Sequence, residues 1–289
     1  MRLGIHTSIS GSIDRAAERA IELGAKTFQI FSTSPRSWHR RRLQRDEVAR
    51  LRTLCRDYDL RPLIVHTNYL INLTARDPQL RRKSIEALRQ ELECARELGA
   101  DYVVLHPGRP APELRDEGLQ MNIEALVEAL HDFDVSAPTL LLENSAGSGV
   151  GLGASFQDLA VMRAGVQPNV KIRLGYCIDT AHCLAAGYDV ASSEGWKRVV
   201  AEVEQVLGWS LVHVIHANDS RFPLGSRRDR HEHIGAGYIG RAGFRRILAE
   251  AALQTKPFIL ETPLEKPEDD RRNLRTLRQL CPRNRTITV

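Results

Sequence analysis

The segment from Cys177 to His182 places two metal-binding residue types directly after an apolar run. Residues 172–178 predict a short buried strand, so Asp179 falls where that strand ends and a loop begins. Three residues later, on the predicted turn, His182 can point into the same cavity from a different height, which suits two neighbouring metal ions. An aspartate at a strand end is more often a loop or capping residue, so the metal hypothesis depends on further ligands elsewhere in the chain.

Metal-binding residue types recur at the ends of six consecutive predicted strands. These residues are His66, His106, Glu143, Asp179, His216 and Glu261. In a parallel barrel every carboxyl end of a strand opens on the same face, so residues that are remote in sequence converge there. One such histidine would more often be a hydrogen-bonded structural residue, but six strand ends in succession indicate a metal centre.

Asp229 and His231 lie beyond the seventh predicted strand, two residues apart in an extended loop. Taken alone they are typical of a polar surface loop, whereas with His182 they complete an open zinc site with three ligands. The nine candidate ligands, these three and the six strand ends, suit three metal ions that share a bridging carboxylate. Imidazole and carboxylate donors without thiolate fit catalytic zinc, and manganese or iron fits the same donors.

A cluster of cations suits the hydrolysis of a phosphate ester, because the cations neutralise charge that develops on the phosphoryl group and lower the pKa of a shared water. No other nucleophile is then needed. Cys177 and Cys183 flank the predicted site in sequence, and we expect both to be packing residues.

The elements that must position these ligands alternate between short apolar runs and longer amphipathic stretches about eight times, which is typical of an α/β fold, the (β/α)8 TIM barrel. The predicted strands cover residues 3–6, 27–31, 62–66, 102–106, 139–143, 174–179, 212–216 and 258–261. The predicted helices cover residues 12–23, 46–58, 77–98, 118–133, 155–164, 193–207, 241–252 and 267–280. Asp77 and Ser155 are predicted N-caps, and Gly24 and Gly99 predicted helix ends. Since no linker interrupts the alternation, we predict one domain over residues 1–289.

Composition places the chain among ordinary globular proteins, with 289 residues of which 42% are hydrophobic. No apolar run reaches membrane length and no signal-peptide pattern opens the chain, so we expect a cytoplasmic protein. Five cysteines without CxxC spacing predict neither a disulfide framework nor a thiolate zinc site.

The formal net charge of +5 and the pI near 9.1 permit a polyanionic partner without requiring one. Basic residues concentrate around Trp38, in the segment that follows the second predicted strand: Arg36, His39, Arg40, Arg41, Arg42 and Arg45. A basic loop that carries an aromatic residue favours a site near a polyanion. The alternative is a solvated face of the next helix.

Several motifs of the chain resemble the endonuclease IV family of apurinic/apyrimidinic endonucleases. The resemblance runs from residue 4 to residue 263 and includes residues 66–73 (HTNYLINL), 105–108 (LHPG), 143–147 (ENSAG), 177–182 (CIDTAH) and 216–220 (HANDS), followed by 229–231 (DRH). It implies a zinc-dependent enzyme of DNA repair that cuts the backbone of duplex DNA 5′ to an abasic site, leaving a 3′-hydroxyl and a 5′-deoxyribose phosphate. It also implies 3′-phosphodiesterase activity, and we expect the enzyme to be a monomer that associates with the nucleoid during repair.

The resemblance assigns the ligands to three zinc ions. One ion would be held by His66, His106 and Glu143, the second by Glu143, Asp179, His216 and Glu261, and the third by His182, Asp229 and His231. Glu143, Asp179 and Glu261 would be the catalytic carboxylates, with Glu143 bridging the first two ions. Arg36, Tyr69 and Leu70 match the positions from which the family inserts side chains into the duplex.

One departure from the family pattern is Ala236, where the family usually has glutamate. No proposed metal ligand is lost by this change. A metal-dependent sugar isomerase or epimerase on the same barrel is the alternative enzyme, and it normally needs one or two metals. A DNA-binding module with structural metals would instead have closed coordination shells and no turnover.

Overall fold

The computed structural model describes residues 1–39, 42–114 and 117–282. Within these ranges eight parallel strands form a barrel: β1 (Arg2–His6), β2 (Thr27–Phe31), β3 (Leu63–His66), β4 (Tyr102–Leu105), β5 (Thr139–Glu143), β6 (Leu174–Asp179), β7 (Val212–His216) and β10 (Pro257–Leu260). They follow one another around the barrel in chain order, and β10 closes it by pairing back onto β1. The predicted (β/α)8 TIM barrel is confirmed.

The barrel has two apolar layers because successive side chains of a strand point to opposite faces. One set packs outward against the helices, and a smaller set forms its own cluster, which consists of Ile64, Val104, Leu141, Cys177, Val214 and Ile259, with Tyr102 against it. Each member of this inner cluster stands two residues before one of the six predicted strand-end ligands. The strand period of two therefore places every such ligand on the same inward face, one layer nearer the barrel mouth.

Helices surround the barrel within the described ranges. They are α1 (Asp14–Glu22), α2 (Arg45–Asp57), α3 (Pro78–Leu98), α4 (Gly118–Leu130), α5 (Phe156–Val166), α6 (Thr180–Ala186), α7 (Ser193–Val206), α8 (Gly240–Ala249) and α9 (Asp269–Leu280). The predicted caps are confirmed where Asp77 accepts a hydrogen bond from the backbone N–H of Gln79 and Ser155 from that of Asp158. Gly99 ends α3 in the left-handed conformation that favours glycine.

Two elements differ from the predicted pattern. The turn predicted after Asp179 is the helix α6, and the extended loop predicted around Asp229 and His231 contains a small antiparallel hairpin of β8 (Asp219–Ser220) and β9 (His231–Glu232). Strand and helix ends otherwise shift by one to three residues, so that His106 and Glu261 directly follow their strands. Arg40 and Arg41 of the predicted basic loop lie outside the described residues.

In the described part of the chain, no helix is both long and apolar enough to cross a membrane. The cysteines at positions 55, 94, 177, 183 and 281 are all buried free thiols.

Candidate metal centre

The six strand-end residues converge at the mouth of the barrel around Glu143, which is fully buried. Its Oε2 atom lies 3.4 Å from His66 Nε2 and 3.5 Å from His106 Nε2. Its Oε1 atom lies 2.9 Å from His216 Nδ1 and 3.4 Å from His182 Nδ1. A carboxylate with both oxygens turned toward imidazoles has the geometry of a bridge between two cation positions.

Helix α6 positions His182 because Asp179 acts at once as the last residue of β6 and as the N-cap of the helix. The Asp179 Oδ1 atom accepts a hydrogen bond of 2.7 Å from the backbone N–H of His182. A cap of this kind satisfies one of the free N–H groups at a helix start. The cap leaves Asp179 Oδ2 facing the centre, 3.6 Å from His231 Nε2.

The β8–β9 hairpin brings Asp229 and His231 over the centre from outside the barrel wall. The buried Asp219 ties β8 to the segment that follows the hairpin, because its carboxylate accepts hydrogen bonds from the backbone N–H groups of Ser220, Gly235, Gly237, Ile239 and Gly240. Asp229 Oδ1 then lies 3.3 Å from His182 Nε2 and 3.7 Å from His231 Nε2. The hairpin thus completes a cluster that the barrel strands leave open on one side.

The donor atoms gather into groups small enough to hold single ions. Among the described residues, ligand atoms lie within 4.8 Å of one another in the groups His66–His106–Glu143, Glu143–Asp179–His216–Glu261 and Asp179–His182–His231. Asp229 joins the last group through its 3.3 Å approach to His182. All nine predicted ligands are therefore brought together.

The partners of the imidazole rings fit a metal centre. His66 Nδ1 lies 2.8 Å from the Thr67 carbonyl oxygen, His182 Nδ1 2.9 Å from that of Asn144, and His231 Nδ1 2.9 Å from that of Glu261. Engaging one ring nitrogen in this way fixes the tautomer and leaves the other nitrogen as a ligand. Glu143 Oε2 and His231 Nε2 are two of eight buried side-chain atoms in the described ranges that lack hydrogen-bond partners within the protein, and their position in the cluster is that of ligand atoms reserved for a cation.

The imidazoles and carboxylates of the centre shift one another's pKa values. Burial by itself would raise the pKa of Glu143 and Glu261, but the nearby His216 helps to hold both pKa values well below the usual range. Burial would lower the pKa of His182, yet Asp179 and the other neighbouring carboxylates raise it well above its usual value. The carboxylates are therefore ionised and ready to bind cations, which would displace protons from the imidazoles.

Three polar residues that the sequence did not single out contact the ligands. Gln29 Nε2 donates a hydrogen bond of 2.6 Å to Glu261 Oε1, and His6 Nδ1 lies 3.6 Å from the same oxygen. Asn218 Nδ2 donates to Asp179 Oδ2 at 2.6 Å and to Glu261 Oε2 at 3.3 Å. Two of these residues had a signal in the sequence. Gln29 is a polar residue between the apolar Phe28 and Ile30 of a strand, and His6 is a histidine that ends a further strand.

Cys177 lies in the inner apolar cluster and is fully buried, as predicted for a packing residue. Burial raises the pKa of its thiol to about 12. Its sulfur also stands within 4.8 Å of donor atoms of Glu143 and His216, beneath the centre. A protonated thiol in this position closes the floor of the site.

Tyr69 lines the mouth of the barrel, and Arg36 and Leu70 lie on the loops that follow β2 and β3. Tyr69 is 56% exposed and lines three openings of about 380, 530 and 1020 Å³, the second of which is also lined by His66, His182 and Glu261. Its ring packs edge-on against His66 at a centroid distance of 5.5 Å. Arg36 is exposed and Leu70 half-buried.

Asn68 joins the loop of Arg36 to the loop of Tyr69. Its buried Nδ2 atom donates hydrogen bonds to the carbonyl oxygens of Ser34 at 3.2 Å and Ser37 at 2.5 Å. Trp38, in the same loop, is half-buried against the core with Lys83 Nζ 4.6 Å from its ring centroid. Trp38 is therefore a packing residue that holds the basic loop in place.

Comparison with known proteins agrees with this geometry. The profile of the xylose isomerase-like TIM barrel family matches residues 17–280. A protein of Solibacter usitatus named probable endonuclease 4 is 48% identical over 288 residues, covering 97% of each chain. One of the same name from Aquifex aeolicus is 38% identical, covering 97% of this chain and 98% of its own.

Solved structures give the same result. The crystal structure of endonuclease IV from Thermus thermophilus matches with a TM-score of 0.83 at 40% identity, covering 97% of this chain and 98% of its own. A D-tagatose 3-epimerase-like protein matches with a TM-score of 0.72 at 21% identity over 97% of both chains and shows a shared fold. With a full-length identity of 48% and a centre built from the motif residues, the chain belongs to the endonuclease IV family within the xylose isomerase-like TIM barrels.

Proposed function

We propose that this protein is an apurinic/apyrimidinic endonuclease that hydrolyses the phosphodiester 5′ to an abasic site in duplex DNA, leaving a 3′-hydroxyl and a 5′-deoxyribose phosphate. The observation that carries the proposal is the convergence of nine imidazole and carboxylate ligands on the barrel mouth, with Glu143 at their centre. A centre of this kind can also hydrolyse a phosphodiester that blocks the 3′ end of a DNA strand, so we include 3′-phosphodiesterase activity in the proposal.

The metal complement we propose is three zinc ions per chain. His66, His106 and Glu143 would hold the first, Glu143, Asp179, His216 and Glu261 the second, and His182, Asp229 and His231 the third. Donors of this type accept zinc readily, and manganese or iron suits one of the positions as well. When bound, the ions would supply Lewis-acid stabilisation of the phosphoryl charge and activate a water molecule.

The residues around the centre prepare it for that chemistry. Glu143 keeps its two oxygens directed at separate imidazole pairs, so neighbouring cation positions share one negative charge. Asp179 and Glu261 lie on the same side, where Asn218 holds one oxygen of each. Burial of the Glu143 and Asp179 carboxylates excludes bulk water, which strengthens their interaction with charge at the phosphoryl group.

The rim of the barrel would act on the DNA. Tyr69 lines three openings, and Arg36 and Leu70 lie on the loops that follow β2 and β3. Exposing an abasic nucleotide to a buried centre requires bending and unstacking the duplex, which costs a few kcal/mol that inserted side chains offset. We propose that these three residues distort the duplex, and that one chain acts as a monomer because its mouth must receive bent DNA.

The deciding experiment is strand scission of a duplex oligonucleotide that carries one abasic site, with an intact duplex as the control. The expected result is cleavage on the 5′ side of the lesion that disappears after chelation and returns with zinc. Elemental analysis of the purified protein should give about three metal ions per chain. Isomerase activity on free sugars, without scission, would overturn the proposal.

A further inference from the structure

The ligands assigned to the second ion are held by two side-chain amides that lie outside the ligand set. Gln29, inside β2 with no exposed surface, points into the barrel mouth. Its Oε1 atom lies 2.9 Å from His216 Nε2, and its Nε2 atom lies 2.6 Å from Glu261 Oε1 and 3.0 Å from His6 Nδ1. One amide therefore contacts an imidazole ligand and a carboxylate ligand on adjacent strands of the barrel.

The contacts of Gln29 fix the chemical form of both ligands. An amide oxygen accepts but cannot donate, so His216 must carry a hydrogen on Nε2 and present Nδ1 to the centre. His216 Nδ1 accordingly lies 2.9 Å from Glu143 Oε1 and 3.2 Å from Glu261 Oε2. The amide nitrogen uses its two hydrogens on Glu261 and on His6, which orients the carboxylate so that Oε2 is the oxygen left for a cation.

Asn218 contributes the second amide. It holds Asp179 Oδ2 and Glu261 Oε2 through Nδ2, while its Oδ1 accepts from the backbone N–H of Glu261 at 2.7 Å. Together the two amides orient three of the four ligands assigned to the second ion: Asp179, His216 and Glu261. The hydrogen bonds of Gln29 within the described residues go to His216, Glu261 and His6, and so to neither of the other two ion positions.

We infer that Gln29 is a positioning residue that selectively sets the affinity and occupancy of the second ion, and that Asn218 is a positioning residue for the same ion that also contacts the side of the third position. The inference rests on the proposed trinuclear centre. Partners that orient metal ligands typically contribute about 10- to 100-fold to metal affinity. Gln29 is the cleaner probe, because Asn218 also bonds the backbone of Glu261, whose carbonyl lies against His231 of the third position.

The test compares Gln29→Met with Gln167→Met. Methionine keeps the length of glutamine without its hydrogen bonds. Gln167 is a matched control because its amide likewise makes three hydrogen bonds, to Val170, Ile172 and Leu174 near the amino end of β6, away from the mouth. Gln29→Leu provides a second variant should the methionine form fold poorly, and each purified variant is checked by thermal unfolding.

The readout is metal content per chain after dialysis against graded chelator, followed by zinc anomalous diffraction from crystals of the same protein. The wild type is measured first, so that a failure of the three-ion centre is seen independently of Gln29. The expected result for Gln29→Met is the loss of one ion at about 10- to 100-fold lower chelator concentration, with the missing peak beside His216 and Glu261. Gln167→Met should retain all ions as the wild type does.

Two outcomes would overturn the inference. Parallel loss of all ions from Gln29→Met would mean that the amide supports the barrel as a whole. Retention of the ion beside His216 and Glu261 at wild-type chelator concentrations would mean that Gln29 does not influence it.

Discussion

Glu143 turns its two carboxylate oxygens toward different imidazoles, His66 and His106 on one side and His182 and His216 on the other. Glu261, in contrast, has one oxygen committed to the amide of Gln29 and the other directed at His216. At the scale of single residues, the two glutamates therefore have separate tasks. In the proposed centre Glu143 would join two cation positions, and Glu261 would supply negative charge to one.

A first prediction follows for Glu261→Gln. The substitution keeps the size and a hydrogen-bonding oxygen while removing the charge that Glu261 contributes beside His216, so the fold and most of the metal should remain. We expect kcat on an abasic duplex to fall by more than about tenfold, measured together with metal content. A smaller loss of kcat at full metal content would exclude Glu261 from a direct catalytic role.

Six of the nine proposed ligands could be predicted from the sequence because each one ends an apolar run, and strand ends in a barrel share one face. The contacts of Gln29 and Asn218 with the ligands could not be predicted, because the sequence does not show which groups a side-chain amide bonds. The partner of Gln29 at the Glu261 carboxylate stands 232 residues away in the chain. Only the closed barrel, which places β2 near β10, brings that pair together.

At the scale of elements, the strands were predicted almost to the residue, since their burial on both faces leaves uninterrupted apolar runs. Helix α6 escaped prediction because its seven residues are nearly all buried and show no amphipathic period. The β8–β9 hairpin pairs only Asp219 with Glu232 and Ser220 with His231 across an irregular loop. Pairing between strands of two residues each has no local sequence signal.

The loops that carry Tyr69 and Arg36 are joined through Asn68, and Tyr69 supplies no proposed ligand although its ring packs edge-on against His66. We predict that Tyr69→Ala weakens binding of abasic duplex by about 1 to 3 kcal/mol through the loss of a stacking contact. The measurement is duplex affinity by fluorescence anisotropy, with metal content unchanged. Hydrolysis of a small phosphodiester, which needs no bending, is the control and should be nearly unaffected; an equal loss there would place Tyr69 in support of the metal centre.

Arg36 should act through charge. If its guanidinium meets a phosphate, Arg36→Ala will reduce the slope of log affinity against log salt by about one unit. Arg198 on α7, exposed in the outer ring of helices, provides a matched control, and Arg198→Ala should leave the slope unchanged. Equal slopes for Arg36→Ala and the wild type would remove Arg36 from the DNA interface.

At the scale of the whole molecule, the centre couples stability to pH. In metal-free protein the raised pKa values of His182 and His216 contribute stability that is present below the ordinary pKa of about 6.5 and is lost as the pH rises through the raised values. The lowered pKa values of Glu143 and Glu261 contribute stability that is lost only as the pH falls through those low values. Between neutral and alkaline pH, therefore, the contribution of these two imidazoles changes while that of the two glutamates does not.

Metal-loaded protein should behave differently, because bound ions keep the imidazoles neutral. We predict that the difference in Tm between metal-loaded and chelated protein widens from about pH 6 to about pH 9. Thermal unfolding of both forms across that range measures this difference in Tm. Because the two forms are compared at each pH, the contributions of groups that have the same pKa in both forms cancel. A difference that is constant or narrows would contradict the assigned charge states.

The hairpin also has a consequence for how the enzyme matures. Six of the nine proposed ligands are in place as soon as the barrel closes, since each belongs to the wall or directly follows one of its strands. Asp229 and His231 belong instead to the hairpin segment outside that wall, where they meet His182 of α6. In the proposed centre the wall positions would therefore not depend on the hairpin, whereas the third position would, so a chain whose hairpin had not formed would be folded, metal-bearing and unfinished.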